Sequence, residues 1–524
     1  MATRVATLSK ATRTWVLAGT ILGSSMVFID GTVVNIALPV IQSALHATAI
    51  DMQWVVNAYT LFLAALMIVG GSLGDHFGRR RMFVTGTVIF ALASVWCGFA
   101  PNINQLILAR GLQGIGSALL TPGSLAIISA TFEGKERGHA IGTWSGFTAI
   151  TAAIGPVLGG VIAQYLSWRW IFFINIPLAI AVVAVSAGIP ESRDDEKVHH
   201  LDYAGALLAT IGLGGLTYGL INAGAVGFGD RAVIAALALG VLALAAFIAV
   251  EARARAPMMP LTLFASRTFS GANLLTFLLY AALGGVLFFV PFDLIQVQHY
   301  TPTEAGLSLL PFIAFMVLLS RWAGGLVAQY GSKLPLIIGP TIAAVGFALF
   351  ALPGVGGSYW TTFFPAVFVL GLGMAITVAP LTTTVLEAVD EEHVGLASAI
   401  NNAVSRAGGL FSVAALSLVV LFVFNMRLDA SITALHAPPP LTAHVAAKMA
   451  PEREKLAAAQ PPQDVPTQIR DELRSAILVA YQSGFRAAML VGSVLALASA
   501  IIAAVLIEGK PRQKVGSSGT KIGP

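Results

Sequence analysis

Charged residues are scarce in this sequence, and their scarcity excludes most soluble proteins. Only 10% of the 524 residues are Asp, Glu, Lys or Arg, whereas 56% are hydrophobic. A soluble protein with so little charge would expose large apolar patches and would not stay dispersed in water. The composition therefore predicts a protein that crosses a membrane many times.

Cysteine is nearly absent, and so are the motifs of several enzyme classes. The one cysteine, Cys97, lies in an apolar run, which excludes a disulfide framework and a cysteine-based metal site. The sequence contains neither a Gly-x-x-x-x-Gly-Lys-Ser/Thr phosphate loop nor a His-Glu-x-x-His zinc motif. We expect a protein that is not an enzyme, binds no cofactor or metal and draws its energy from an ion gradient.

The basic residues lie in short loops between apolar runs rather than on one stripe, although the net charge is +5. This distribution excludes nucleic acid as a partner. Short loops rich in Arg and Lys stay in the cytoplasm, so the pattern predicts that both termini are cytoplasmic. The residues concerned are Arg79, Arg80, Arg81, Lys135, Arg137, Arg193, Lys197, Arg253, Arg255, Arg267, Lys333, Lys510, Arg512 and Lys514.

Apolar runs divide the chain into about fourteen predicted spans, since a spanning helix needs about 20 mostly apolar residues. Six fall in residues 14–188, two in residues 203–250 and six in residues 269–507. The polar stretch 425–484 interrupts the last group and is expected to lie outside the cell. Apolar spacing from Val465 to Tyr481 predicts a surface helix within it.

A short loop between the second and third spans carries glycine, aspartate and arginine in a fixed spacing. It reads Gly-Ser-Leu-Gly-Asp-His-Phe-Gly-Arg-Arg-Arg from Gly71 to Arg81. Gly74 and Gly78 are expected to let the backbone bend tightly and pack closely. The pattern resembles the signature between helices 2 and 3 of the major facilitator superfamily, which implies a conformational, gating role. The residues that carry this role are Gly71, Gly74, Asp75, Gly78, Arg79 and Arg80.

The stretch Gly324–Lys333 repeats the glycine, leucine, aromatic and basic positions of this loop, with Ala328 in place of the aspartate. Paired bundles related by such a repeat form this superfamily, and the substrate route lies between them. The resemblance implies an all-α membrane protein with the major facilitator fold. Its expected parts are a six-helix bundle (14–188), two inserted helices (203–250) and a second six-helix bundle (269–507) with an outer loop (425–484).

Two charged residues lie inside predicted spans of the first bundle. A carboxylate such as Asp30 at the centre of a spanning helix costs roughly 2.5–3.5 kcal/mol, so it usually faces water or a partner. Arg110 cannot lose its proton and needs an acceptor. Because the first and fourth spans run in opposite directions, both residues fall in the outer half, and we expect them to be coupled. A purely structural role for Asp30 is the alternative.

Three further stretches resemble one branch of the superfamily. The run Asp30–Pro39 is similar to the first-helix signature of the 14-helix drug:proton antiporters. The run Leu106–Gly116 is similar to the helix-4 motif, whose arginine the family links to proton transfer. The fifth span resembles the motif associated with antiporters, although its spacing can also mark a simple tight helix crossing. Its residues are Gly146, Gly155, Pro156, Gly159 and Gly160.

Other polar and aromatic residues within spans are candidates for the transport route. Asp293 is a candidate second proton or cation site, and a structural partner is an equal alternative. Arg321 and Arg406 are candidates for the cavity on the same terms, whereas aromatic side chains at helical spacing more often pack than bind. The predicted substrate cavity comprises Asn35, Trp54, Asn57, Tyr59, Gln113, Phe289, Arg321 and Arg406.

The resemblance implies proton-coupled export of drugs or other amphiphilic or cationic small molecules by alternating access. A dedicated exporter of a single metabolite, antibiotic or lipid is the alternative. The expected location is a bacterial plasma (inner) membrane, with the lipid bilayer, protons and a small-molecule substrate as partners. A monomer and an association with a periplasmic adaptor both remain open.

Overall fold

The computed structural model describes residues 9–193, 202–254, 257–390, 393–435 and 437–509, and these residues form helices without strands. Thirteen helices are long and apolar enough to cross a membrane, and a shorter apolar segment, Trp170–Ser186, follows the fifth. Their number agrees with the fourteen predicted spans. The protein is therefore a multi-pass membrane protein. The basic residues Lys197, Arg255, Lys510, Arg512 and Lys514 lie outside the described residues.

The first bundle consists of seven helices, because a turn at Ile174 divides the sixth span. They are α1 (Lys10–Ala44), α2 (Ala49–Phe77), α3 (Arg79–Phe99), α4 (Ile103–Thr131), α5 (Gly134–Tyr165), α6 (Trp170–Phe173) and α7 (Asn175–Ser186). A pair of helices follows, α8 (Tyr203–Val226) and α9 (Arg231–Glu251). These two pack on each other, and α8 also contacts α2 and the long helix Val394–Thr433 of the second bundle.

The second bundle begins after a short 3-10 helix, Leu261–Ala265. It contains α10 (Arg267–Phe292), α11 (Pro302–Ser308), α12 (Leu310–Tyr330), α13 (Lys333–Phe350), α14 (Tyr359–Glu387), α15 (Val394–Thr433), α16 (Pro439–Met449) and α17 (Thr467–Leu506). A π-helix, Asp293–Val297, extends α10, and a 3-10 helix, Glu452–Ala458, follows α16. We call the end of the molecule that carries Arg79–Arg81 the basic end and the other one the opposite end.

Small residues let the helices of the first bundle approach closely. A Cβ atom on Gly70 would collide with the carbonyl oxygen of Ala118, and one on Gly114 would collide with that of Tyr59. Both contacts join α2 to α4. Lipid supplies no hydrophobic force between helices, so close backbone packing of this kind holds spanning helices together. The pairing of α2 with α4 is tight for this reason.

The predicted outer loop 425–484 is largely helical, which corrects the expected position of the last span. Helices α15 and α17 each contain 40 residues, and at 1.5 Å per residue each is roughly 60 Å long, about twice the bilayer core. The helix predicted from Val465 to Tyr481 is the first part of α17, not a separate surface helix. Helix α17 continues through Gly484. Because this glycine has no side chain, the helix lies directly against the carbonyl group of Val420.

The two bundles meet at the opposite end of the molecule. The backbone N–H of Thr303 donates to Gln164, and the Gln296 amide donates to Gln42, at 3.2 and 2.9 Å. Further towards the basic end, a Cβ atom on Gly146 of α5 or Gly325 of α12 would have no neighbour within 4 Å, so the bundles do not touch at these two positions. The molecule is therefore closed at the opposite end.

Candidate functional site

A buried ion pair lies in the first bundle. Nη1 of Arg110 on α4 donates to Oδ2 of Asp30 on α1 at 2.6 Å, and the two side chains are 2% and 0% exposed. The structure thus brings together the two charged residues singled out in the sequence. A pair so far from water is costly unless its geometry is good and its remaining polar atoms are bonded.

Amide side chains complete the bonding of this pair. Gln113 donates to Oδ1 of Asp30 at 2.8 Å and accepts from Arg110 at 2.7 Å. Asn175 on α7 also donates to Oδ1 of Asp30, at 3.1 Å, and Ser94 on α3 accepts from Gln113. Side chains of α4 and α7 therefore converge on the carboxylate of α1, and Ser94 of α3 joins the network through Gln113. Gln113, predicted for the substrate cavity, is fully buried in this network instead.

The guanidinium group of Arg110 has two further contacts. Its Nε donates to the backbone carbonyl of Val55 at 3.1 Å, and its central carbon lies 4.3 Å from the ring centroid of Tyr59. An aromatic face attracts a cation through its quadrupole. Tyr59, another predicted cavity residue, is thus a neighbour of the ion pair, and its hydroxyl accepts a hydrogen bond from Ser117.

The glycines of α5 pack against α1 next to Asp30. A Cβ atom on Gly155 would collide with Thr32, and one on Gly159 would lie 2.6 Å from the carbonyl oxygen of Val33. A Cβ atom on Gly146, which was predicted to share this packing role, would have no neighbour within 4 Å. Gly146 therefore takes no part in the helix crossing in this conformation.

The same two turns of α5 contact the second bundle through the neighbouring residues Pro156 and Gly160. Gly160 faces the carbonyl oxygen of Pro302, and Gly306 on α11 faces that of Pro156. Because these glycines have no side chain, the backbones of the two bundles touch directly. The antiporter-like stretch therefore joins the helix of Asp30 to the closed end between the bundles.

The loop Gly71–Arg81 joins α2 to α3 at the basic end. Arg79 donates to Asp75 at 2.8 Å. Gly78 has φ +107°, a backbone conformation that favours glycine, and a Cβ atom there would lie 2.6 Å from Oε1 of Glu191. Gly74 is not needed for close packing, because a Cβ atom would meet nothing nearer than Arg79 at 3.8 Å. Gly71 is equally unconstrained, with Pro122 at 3.6 Å as the nearest neighbour.

Glu191 is a functional candidate that the sequence analysis missed. Its carboxylate accepts hydrogen bonds from the backbone N–H groups of Arg80 and Arg81, at 3.0 and 3.1 Å. It therefore caps the start of α3, where free N–H groups favour a negative charge. The only signal in the sequence is an acidic residue after Pro190, and that signal does not identify a partner so far away along the chain.

Two of the remaining candidates are buried in the second bundle. Asp293 is fully buried and accepts from Gln298 at 3.3 Å. Phe289 is buried and packs against Phe288 in the bundle core, with ring centroids 4.9 Å apart. The side chain of Arg321 lies outside the described part of the chain.

The other predicted cavity residues lie in different surroundings. Trp54 lies against Tyr218 of α8, with ring centroids 6.1 Å apart, so it contacts the helix pair α8–α9. Asn35 donates to the carbonyl of Gly31 within its own helix. Asn57 is buried, and neither its amide nitrogen nor its oxygen has a hydrogen-bond partner among the described residues. Arg406 lies on α15, the long helix that packs on α10 and α17.

The chain is similar along most of its length to proteins named for drug resistance. It is 33% identical over 439 residues to the multidrug resistance protein Stp of Mycobacterium tuberculosis, over 83% of this chain and 80% of that protein. It is 34% identical over 415 residues to the tetracenomycin C resistance and export protein of Streptomyces glaucescens, over 78% and 76% of the two chains.

Solved structures of transporters share the fold. A bacterial homologue of the human lysosomal transporter Spinster, in an inward-facing and occupied conformation, matches with a TM-score of 0.64 at 18% identity. The match covers 96% of this chain and 98% of that one. Residues 20–413 match the family model described as Major Facilitator Superfamily. The chain belongs to this superfamily, so the predicted family and fold are confirmed, and it is a transporter rather than an enzyme.

Proposed function

We propose that this member of the major facilitator superfamily exports drugs or other amphiphilic small molecules in exchange for protons. It does so across a bacterial plasma membrane, with both termini in the cytoplasm, and the basic end is the cytoplasmic end. A relative that is 33% identical over most of this chain is named a multidrug resistance protein, which supports export as the direction of transport.

The observation that carries the proposal is the burial of Asp30 in contact with Arg110. Asp30 is a titratable carboxylate inside a spanning helix, and such residues mark proton relays. When Asp30 takes up a proton, it loses its charge and its attraction for Arg110 falls. The amide donors Gln113 and Asn175 remain beside it, so the neutral acid is still held in place. Protonation therefore changes the force between α1 and α4 without dismantling the site.

Asp30 lies close in sequence to the contact between α1 and α5. Thr32 and Val33 of α1 face Gly155 and Gly159 of α5, and the neighbouring Pro156 and Gly160 touch α11. A shift of α1 would therefore change the contacts where the two bundles meet. Rocking of the bundles about such a contact is the expected form of alternating access.

The proton gradient supplies enough energy for this cycle. One charge that moves through a potential of 100 mV releases about 2.3 kcal/mol. This free energy corresponds to a ratio of roughly fifty between the substrate affinities of the two openings. Neither a nucleotide nor a metal is needed to drive export on this scheme.

Dye efflux from proteoliposomes, with and without an imposed pH gradient, tests the proposal. The wild-type protein should move dye only when the gradient is present. Asp30→Asn keeps the shape of the side chain but cannot be ionised, so we expect it to abolish gradient-driven movement. Asp471→Asn, at an exposed carboxylate of α17, is the matched control and should leave transport unchanged. Transport by Asp30→Asn at the wild-type rate would contradict the proposal.

A dedicated exporter of one compound is a second candidate, and the names of some relatives favour it. The tetracenomycin C resistance and export protein of Streptomyces glaucescens is named for a single antibiotic. Drug-susceptibility profiles of cells that produce this protein separate the two. A broad shift supports export of many drugs, whereas a shift for one compound supports the dedicated exporter.

A further inference from the structure

Arg406 lies on the spanning helix α15 and has no counter-ion among the described residues. Its Nε atom is buried and has no hydrogen-bond partner in that part of the chain, whereas the side chain as a whole is partly exposed. Arg110, by contrast, has a carboxylate, an amide and a carbonyl oxygen all bonded to it. Arginine cannot become neutral by losing its proton. The partly exposed charge of Arg406 is therefore open to an anion from outside the described residues.

Two phenols lie on helices that pack against α15, the helix of Arg406. They are Tyr280 on α10 and Tyr59 on α2. Tyr280 lines the same small cavity as Ser405, the residue before Arg406. The hydroxyl of Tyr59 accepts a hydrogen bond from Ser117. Helices of both bundles thus bring two phenols to the surface of α15 that carries Arg406.

A small cavity of about 80 Å³ opens beside this group in the second bundle. Tyr280 and Ser405, the neighbour of Arg406 in sequence, both line it. Its other polar lining residues include Thr382, Asn401 and Asn402. A polar cavity that is lined by the sequence neighbour of this arginine suits a small acidic group better than an apolar one, since buried polar groups require partners.

The cavity and Arg406 are held on rigid helices. Asn401, one turn before Arg406, donates to Asn273 at 3.1 Å and to Thr276 at 2.8 Å on α10. Just beyond Arg406, a Cβ atom on Gly284 of α10 would lie 3.0 Å from Cα of Gly409. The helix α15 is therefore fixed to α10 on both sides of Arg406. Binding groups on rigid elements keep their geometry.

We propose that Arg406, with the hydroxyls of Tyr280 and Tyr59, binds an acidic group of the exported molecule, such as a carboxylate, phosphate or phenolate. The inference rests on the proposed export function and reverses the substrate charge expected from the sequence. Asp30, the carboxylate of the first bundle, is already neutralised by Arg110. A cationic substrate would therefore meet an unopposed positive charge in Arg406, and an anionic one would be attracted by it.

The same placement links the proposed substrate site to the proton site through Tyr59. The ring of Tyr59 lies against Arg110, and its helix α2 packs against α15, which carries Arg406. An anion bound at Arg406 would interact with the hydroxyl of Tyr59, the same residue whose ring packs on the ion pair. Substrate and proton would thus act on neighbouring residues of α2 and α4, without direct contact between them.

Equilibrium binding to the purified protein in detergent tests the inference separately from transport. The probes are fluorescein, which is anionic, and a cationic rhodamine ester with the same xanthene ring system. We expect the wild-type protein to prefer fluorescein. Arg406→Gln should weaken fluorescein binding about tenfold or more, as expected for loss of a charge-assisted hydrogen bond, and should not weaken binding of the rhodamine ester. Arg406→Lys should retain part of the preference.

Arg427→Gln is the matched control, because it removes one positive charge from an exposed position on the same helix. It should leave the binding of both dyes unchanged. A monodisperse elution profile shows whether each variant is folded. A wild-type protein that binds the cationic dye more tightly, or binds no anionic dye, overturns the inference. So does fluorescein binding that Arg406→Gln leaves intact.

Phosphatidylglycerol in the detergent distinguishes two sources of the acidic group. Competition with fluorescein that is lost in Arg406→Gln assigns the site to a lipid phosphate. Fluorescein binding without such competition assigns it to a small-molecule acid. Failure of the proposed function has a different signature, since binding would then follow Arg406 while no dye moves under a pH gradient.

Discussion

Arg110 holds its place through several contacts of different kinds, and this variety makes it hard to replace. The guanidinium group bonds to a carboxylate, an amide and a backbone carbonyl, and it also packs on the ring of Tyr59. A lysine ammonium is a point charge and lacks the planar fork that reaches these groups together. The residue is therefore both a structural element of the first bundle and the counter-ion of Asp30.

Removal of Arg110 should destabilise the protein more than removal of its partner's charge. Arg110→Met leaves Asp30 buried without a cation, and breaking a buried pair in this way costs about 3–5 kcal/mol. Asp30→Asn leaves a neutral amide that can still bond to its neighbours. We expect a much lower thermal transition in detergent for Arg110→Met than for Asp30→Asn. Equal transitions for the two variants would show that the pair adds little to stability.

Among the helices and their connections, the turn between α2 and α3 depends on one glycine rather than on its whole motif. Gly78 combines a positive φ with a side-chain position filled by Glu191. Gly74 lies inside α2, where a side chain would meet no close neighbour. Both glycines belong to the same sequence signature, yet geometry requires a glycine only at position 78.

Gly78→Ala and Gly74→Ala should therefore have opposite effects. The first forces an L-residue into a left-handed conformation, at about 1–2 kcal/mol, and displaces Glu191 from the start of α3. The second should stabilise the helix by roughly 0.5–1 kcal/mol, because alanine loses less backbone entropy than glycine. Thermal unfolding in detergent measures both. A Gly78→Ala variant as stable as wild type would contradict this account.

We expect the segment between α15 and α17 to respond to pH through the exposed pair of His444 and Asp464. His444 lies 2.9 Å from Asp464, and this hydrogen bond lowers the pKa of the Asp464 carboxyl below its ordinary value. A lowered folded-state pKa stabilises the contact above the ordinary carboxyl pKa, and the stabilisation is lost as the pH falls through the lowered pKa.

We expect amide hydrogen exchange in α16, corrected for its intrinsic pH dependence, to become modestly faster as the pH falls through that range. Asp464→Asn should remove this dependence, because an amide has no charge to lose. Asp471→Asn, on the exposed part of α17, serves as the control and should retain it. If Asp464→Asn keeps the full pH response, another group is responsible.

In the molecule as a whole, the glycines of α5 and α11 set which end is closed. Gly160 and Gly306 let the two bundles touch backbone to backbone at the opposite end. The bundles do not touch at Gly146 and Gly325, further towards the basic end. The balance between the two openings therefore depends on a close backbone contact that a single methyl group can disturb.

Gly160→Ala should shift the molecule away from the conformation that is closed at the opposite end. The added Cβ atom would collide with the carbonyl of Pro302, and each 1.4 kcal/mol of cost shifts the equilibrium about tenfold. Ser145→Cys, at an exposed position on α5, reports on the basic end, and the native Cys97 is fully buried. We expect maleimide to label Ser145→Cys more slowly when Gly160→Ala is added. Gly146→Ala, in open space, should not slow the labelling.

The order of the residues was enough to predict the fourteen spans, the family and the residues that could not lie in lipid without a partner. These follow from composition and from spacing along one chain, because each spanning segment must satisfy its backbone within itself. Asp30 and Arg110 were predicted to be coupled for the same reason, since each needed an opposite charge.

Which residues meet depends instead on how the helices pack. Gln113 and Asn175 converge on Asp30, Glu191 caps α3, and Phe289 is buried in a bundle core, because helix packing fixes partners that are far apart in sequence. The difference between Gly74 and Gly78, or between Gly146 and Gly160, is likewise invisible in a motif. Helical spacing determines on which face of its helix a residue lies. Whether that face packs in a contact, lines a cavity or stays exposed depends on the neighbouring helix.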